Sequence, residues 1–372
     1  MSRRTVAGLL ALGLAAALLV VAVVMPVPYV TFRPGPTINV LAPYDGKDII
    51  QITGRKVYKD DGALRMVTVY PTGPKEKLSF ATVLAGWFST STAVLPRGAV
   101  YQKQDTAKSV QQESALQMTT SQDNATVAAL DAAGITYKTS VLVGQVDPKG
   151  ASAGVLEVGD ELLRINGTTI TSPELVQKTI RPLPDRSKVT FDLLRKGKKL
   201  TVSVRTRASE IELPAPTKKQ ETCPDGSLVQ TASKKVSLIG ITPAPRYTYP
   251  FDVKVNLSDN IGGPSAGMMF ALSIYDLLTP GSLTGGKIIA GSGEISEDGV
   301  VGAIGGIGQK LVGAQRDGAH LFLVAAENWQ EAIHSDYDRS KLKLVKVHTI
   351  DDALKAIKAY RENPDAAPKG CS

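Results

Sequence analysis

The stretch Ile261–Gly281 reads IGGPSAGMMFALSIYDLLTPG. Just before it, Phe251-Asp252-Val253-Lys254-Val255-Asn256-Leu257 alternates apolar and polar residues, which predicts a strand. A glycine-rich turn, Gly262 to Gly267, then leads into an apolar helical run from Met268 to Leu278. Ser265 therefore sits in a strand–turn–helix junction. That position suits a nucleophile, because the first N–H groups of a helix lack intrahelical partners and favour negative charge. The same groups, framed by Gly263, Pro264 and Ala266, suit an oxyanion.

Three readings of this segment compete. Gly263-x-Ser265-x-Gly267 fits the nucleophile elbow of α/β-hydrolase esterases, which needs an Asp and then a His downstream. Asp298 or Asp317, followed by His320, His334 or His348, are the candidates. Gly281-Ser282-Leu283-Thr284-Gly285-Gly286-Lys287 approaches a P-loop, but Ile288 stands where Mg²⁺ needs Ser or Thr, and the segment comes after a helix. It reads as a turn. The third reading draws on two downstream blocks, Gly291-Ser292-Gly293-Glu294-Ile295 and Gly299-Val300-Val301-Gly302-Ala303-Ile304-Gly305-Gly306-Ile307-Gly308-Gln309-Lys310. With the GPSAG block, they resemble the proteolytic domain of Lon proteases, which use a Ser–Lys dyad.

The resemblance implies Ser265 as nucleophile, Lys310 as general base and Ser292, where the family has Thr, as the residue orienting the amine. Gly263 replaces an acidic residue common in that family, and Gly308-Gln309 replaces a charged pair. The chemistry is coherent. A serine hydroxyl needs a base, and a lysine serves only when neutral, which burial promotes. Ile304, Ile307, Leu311 and Val312 stand ready to desolvate Lys310. No metal, nucleotide or other cofactor is expected.

Upstream, residues 129–208 form a distinct β-rich pattern. Val141–Val146 reads as a strand, Val158–Gly167 as a turn, an apolar strand and an Asn-Gly turn, and Ser172-Pro173-Glu174 as a helix start. Lys188–Arg195 and Lys199–Arg205 close the module as strands. ASAGVLEVGDELLRINGTTI resembles a PDZ domain, which implies capture of a peptide C-terminus by strand addition. The carboxylate loop is expected at Gly134, Ile135 and Tyr137, although the stretch departs from the usual Gly-Leu-Gly-Phe pattern.

At the N-terminus, Thr5 to Met25 carries no charge and is long enough to cross a bilayer, with Arg3 and Arg4 before it. Its length and the lack of a small-x-small site favour an uncleaved single-pass anchor over a signal peptide. Positive charge then places the N-terminus in the cytoplasm and the catalytic domain outside. The expected division is 1–28 anchor, 29–128 α+β region, 129–208 PDZ, 209–235 linker, 236–361 Lon-like domain and 362–372 tail. The fold class is α+β. Within 29–128, strands are expected at Tyr29–Phe32, Ile49–Ile52 and Leu64–Tyr70, a break at Pro34-Gly35-Pro36, and helices at Leu78–Trp87 and Asp105–Gly134.

Composition agrees. The 372 residues are 43% hydrophobic and 21% charged, enough to build packed cores rather than a disordered chain. Two cysteines and three histidines leave little for a metal centre. Cys223 and Cys371 would lie where a disulfide is allowed, and their pairing stays open. Apart from Arg3 and Arg4, much of the net charge of +8 clusters between Arg186 and Lys235. With the body outside the cell, nucleic acid is not an expected partner. The whole pattern resembles membrane-anchored PDZ–Lon-like proteases of Gram-positive, especially actinobacterial, type. That implies peptide substrates, no ATPase module and a homo-oligomeric ring. A PDZ scaffold with an inert protease domain is the binding-protein alternative.

Overall fold

The computed structural model describes residues 2–59, 61–213, 232–258 and 261–364. Its longer helices are α1 (Arg3–Val24), α2 (Phe80–Trp87), α3 (Ala107–Ala132), α4 (Pro173–Ile180), α5 (Gly267–Leu278), α6 (Ile307–Arg316) and α7 (Ile350–Glu362). The principal strands are β1 (Tyr29–Asn39), β2 (Ala63–Pro71), β3 (Ala93–Pro96), β4 (Lys138–Val146), β5 (Glu161–Ile165), β6 (Lys188–Arg195), β7 (Lys198–Arg205), β8 (Arg207–Leu213), β9 (Ala232–Leu238), β10 (Ile241–Thr248), β11 (Ile288–Ser292), β12 (Leu321–Ala325) and β13 (Lys343–Val347). The fold is α+β. Two compact units form, one from residues 1–136 with 251–372 and one from 137–250.

The first unit is built on a mixed sheet of order β13-β12-β11-β2-β1-β3. Its centre is parallel, β2 to β11 to β12 to β13, while β1 runs antiparallel to β2 and β3. Leu321-Phe322-Leu323-Val324-Ala325 is buried throughout, as a strand covered on both faces must be. Neighbouring residues of β11 point to opposite faces. Gly291 lies under Met268 and Met269 of α5, and Ala290 packs with Ile307 and Leu311 of α6. Helices thus cover both sides. All but one residue of α5 is buried, because α3 closes over it, and that is why the run Met268–Leu278 is mostly apolar on every side.

The expected break at Pro34-Gly35-Pro36 is instead a bulge inside β1, where the register with β2 shifts between Pro34 and Thr37. A Cβ at Gly35 would overlap Thr68, and the Gly35 carbonyl accepts a hydrogen bond from Arg316 Nη2 at 2.8 Å. Close approach, not chain reversal, explains that glycine. The stretch 29–128 also forms no separate layer. Its strands β1 to β3 and its helix α3 complete the same unit as residues 251–364.

The second unit is a sheet of order β7-β6-β5-β4-β10 with α4 packed on it. Its core joins Val141, Leu162, Ile165, Val176, Phe191 and Ile239. Asp160, 1% exposed, is clamped by Arg195 through Nε at 2.8 Å and Nη2 at 2.7 Å. This fixes the Gly-Asp turn before β5. The ends of the stretch read as a linker pair as an antiparallel ladder, β8 with β9, from Arg207↔Leu238 to Leu213↔Ala232. Residues 214–231, with Cys223, and residues 365–372, with Cys371, lie outside the described residues.

Candidate active site and peptide groove

The chain reaches Ser265 through a turn whose shape is set by Gly263, at φ +91°. A side chain would be strained there. Pro264–Ala266 form one 3₁₀ turn, and α5 begins directly after it. The turn is pinned from two sides. From α3, the Ser114 carbonyl accepts the Gly263 N–H at 3.0 Å, and Ser121 Oγ donates to the Pro264 carbonyl at 3.0 Å. From β11, the Ser265 carbonyl accepts Gly293 N–H at 3.1 Å and Ser292 Oγ at 3.0 Å. The main chain of Ser265 is therefore held from both sides. The N–H groups of Ser265 and Ala266 open the helical turn, where a helix leaves donors without internal partners.

Lys310 comes from the other face of the sheet. Gly306, in the left-handed region at φ +70°, starts α6, whose apolar face is Ile307, Leu311 and Ala314. Lys310 is 2% exposed. Its ammonium donates to Ser292 Oγ at 2.9 Å. Burial pulls its pKa from 10.5 down to about 8, against the opposing pull of the Glu294 carboxylate. Burial in turn pushes Glu294 up while Lys310 draws it down. Ser292, fully buried at the end of β11, thus links the amine to the carbonyl of Ser265.

Ser265 and Lys310 both line one cavity of about 660 Å³, walled also by Val69, Tyr101, Ser114 and Met118. No histidine lines it. His334 Nδ1 pairs with the Gln330 carbonyl, and the Asp317 carboxylate takes Thr37 and Arg316. The esterase arrangement of Asp and His is not assembled at Ser265. Among the described residues, no group of His, Cys, Asp and Glu is placed to hold a metal. Sequence reasoning missed Ser114 and Ser121. Their spacing on α3 carries no local mark, and only tertiary packing brings them to the serine turn.

In the second unit, a cavity of about 190 Å³ lies between α4 and the chain from Ser237 to Pro243. Val176, Gln177 and Ile180 form one wall, and Leu238, Ile239 and Gly240 the other. Gly240 has φ +77°, and a Cβ there would come 2.7 Å from Gly150 Cα. The expected carboxylate residues do not line this cavity. Gly134 and Ile135 end α3 in the first unit, where Ile135 N–H bonds to the Leu130 carbonyl. Tyr137 packs edge-on against Tyr247 and Tyr249 at 5.7 and 5.9 Å. The reason is strand order: the strand beside β4 is β10, which comes last in the module rather than first.

Residues 258–359 match the family model of the Lon protease (S16) C-terminal proteolytic domain, and residues 114–206 that of the PDZ domain. One segment of the chain is thus similar to the proteolytic domain of Lon serine endopeptidases, and another to a PDZ domain. Its relatives include a Lon protease of Trichlorobacter lovleyi, 35% identical over 111 residues, 29% of this chain and 13% of that protein. Another is the peroxisomal Lon protease homolog 2 of Caenorhabditis briggsae, 33% identical over 110 residues, 28% of this chain and 14% of that protein. The chain spans only about an eighth of the length of these relatives. Among solved structures, the PDZ domain of the SdrC-like protein of Listeria monocytogenes is 20% identical, covering 29% of this chain and 90% of that one at a TM-score of 0.21.

Proposed function

We propose that this chain is an ATP-independent serine endopeptidase that uses Ser265 and Lys310 as a dyad. The observation that carries the proposal is the buried Lys310 amine, with its pKa lowered to about 8, sharing a cavity with Ser265. At pH 7 roughly a tenth of such an amine is neutral and able to take a proton. Ser265 Oγ attacks the peptide carbonyl as Lys310 Nζ accepts its proton. The tetrahedral oxygen is held by the N–H groups of Ser265 and Ala266, since Pro264 has none and the Gly263 N–H is taken by the Ser114 carbonyl. Lys310 then returns the proton to the leaving amine, and water resolves the acyl-enzyme by the same route. Ser292 keeps the amine directed toward the serine turn.

The PDZ unit supplies the substrate end. A peptide carboxylate docks at the Leu238–Ile241 turn, and the chain before it pairs along β10, the last strand in the sheet order. Pro243 and Pro245 offer no N–H, so this edge supports only a short ladder. Helix α1 anchors the protein in a membrane, with Arg3 and Arg4 inside and both units outside. After those two arginines its 22 residues carry no further charge, and an 18-residue stretch of it has a mean hydropathy of 2.8. Substrates are then extended or membrane-proximal polypeptides.

The test is cleavage of casein by the full chain in detergent. Ser265→Ala and Lys310→Ala each abolish it and the three His→Ala variants keep it. A serine-directed probe labels the wild type and not Ser265→Ala. Loss of activity in one His variant, with Lys310→Ala active, points to an esterase-type site. A chain that binds C-terminal peptides but neither cleaves nor labels is a scaffold.

A further inference from the structure

The catalytic unit exposes an apolar helix face beside the end of α1. On α2 and its C-cap, Phe80, Leu84, Trp87 and Phe88 are 37%, 39%, 52% and 82% exposed. Their spacing of i, i+4, i+7 and i+8 puts them on one side of the helix. The opposite side is used for packing: Val83 is fully buried, and a Cβ at Gly86 would stand 2.7 Å from Val94 Cγ2 of β3. From Leu78 to Pro96 the chain carries no charged residue, while Lys75 and Lys77 precede it at the surface. Water alone does not select such a face, and a patch of this kind marks an interaction surface.

Its place in the fold names the occupant. The Phe80 N–H donates to the carbonyl of Met25, the residue that ends α1, at 3.0 Å. Pro26 and Val27 pair with Ser79 and Leu78, so the first turn of α2 is tied to the foot of α1. Trp87 packs edge-on against Tyr29 at 5.7 Å, which sets two amphipathic aromatics side by side near the chain's exit from α1. Trp and Tyr collect at the level of lipid headgroups, with the ring in the apolar region and the polar atom in water.

We propose that α2 is a second membrane contact, lying in the bilayer interface with Phe80, Leu84, Trp87 and Phe88 inserted. The inference rests on the reading of α1 as a membrane anchor, and extends it. A single helix tethers a domain but leaves it free to swing. The second contact fixes how the catalytic unit faces the lipid surface and favours polypeptides emerging from that surface as substrates.

The chain has two tryptophans, so Trp329→Phe leaves Trp87 as the reporter. The full chain is reconstituted into phosphatidylcholine vesicles with or without brominated acyl chains, and flotation is measured in parallel. The expected result is flotation with at least about two-fold quenching of Trp87 by brominated lipid, since bromine quenches only rings within the apolar region. Phe88→Asp, at a side chain with almost no packing to lose, weakens that quenching while flotation persists. Flotation with Trp87 unquenched by bromolipid but quenched by acrylamide overturns the proposal and leaves the anchor standing. Protection from both quenchers means that a second copy covers the face, and also overturns it. Failure to float refutes the anchor, and this inference with it.

Discussion

Replacing Lys310 by Met tests the base directly. The site lowers the lysine pKa from 10.5 to about 8, with burial as the leading cause. The difference of about 2.5, at about 1.36 kcal/mol for each pKa step, makes the charged amine cost about 3 kcal/mol of folding stability. Below pH 8 the amine is protonated in both the folded and unfolded chains, and the whole cost applies. Between pH 8 and 10.5 the folded chain has released a proton that the unfolded chain keeps, so stability rises with pH. Above 10.5 the cost is gone. Methionine has a stem of similar length and carries no charge. The stability gap between Lys310→Met and wild type should therefore favour the variant by about 3 kcal/mol more at pH 7 than at pH 10.5. Taking the difference between the two proteins cancels the titrating groups that Lys310 does not reach, which leaves Glu294 as its one coupled neighbour. Denaturant midpoints in detergent, read by tryptophan emission, report this unit alone, because Trp87 and Trp329 both belong to it. A gap that stays flat from pH 7 to 10 refutes the lowered pKa, and with it the case for Lys310 as a base.

Peptide hydrolysis should depend on the same group. kcat/KM should rise about tenfold for each pH unit below 8 and level off above it, and a profile flat from pH 6 to 9 counts against a neutral amine. Ser292→Ala removes both the acceptor of the Lys310 amine and a donor to the Ser265 carbonyl. It should lower kcat by about 10- to 100-fold with KM nearly unchanged, and a change confined to KM would assign Ser292 to binding instead. Arg195→Met strands the Asp160 carboxylate in the PDZ unit and should cost roughly 3–5 kcal/mol, seen as faster amide exchange in residues 161–195 with tryptophan emission unmoved. Gly240→Val forces a side chain onto Gly150 Cα, so C-terminal peptide binding should fall at least about tenfold while short chromogenic peptides are still cleaved.

What could be read from the sequence was what local chemistry dictates. The strand–turn–helix at Ser265, the apolar run of α5 and the α6 lysine among isoleucines and leucines each arise from short-range pattern. So does the alternation of Leu64–Tyr70, which lies within β2. The misplaced features depend on pairings distant in sequence. Pro34-Gly35-Pro36 looks like a terminator, yet β1 runs through it because Thr68 and Arg316 approach that backbone. Gly134 and Ile135 close α3 in the first unit, and the strand beside β4 is β10, about a hundred residues later. No periodicity encodes which strand pairs with which.

The helix α3 shows why a functional reading of 29–128 was out of reach. Its sequence is rich in Ser, Gln and Thr and looks like a solvated helix, and only its second half is substantially buried. Yet the Ser114 carbonyl and Ser121 hydroxyl hold the turn that carries Ser265, and a Cβ on Gly262 or Gly267 would strike those same two residues at 2.8 and 2.6 Å. The glycines of the serine block are therefore fitted to a helix encoded some 140 positions earlier. A serine turn that is anchored on one side by α3 and on the other by β11 cannot relax independently of either. This predicts that the segment matching the Lon family, residues 258–359, does not make a working site without α3. Chains carrying it alone should fail to label with a serine-directed probe even where they remain soluble. Labelling of that isolated segment at the rate of the full chain would show that α3 only covers the core and does not hold the site.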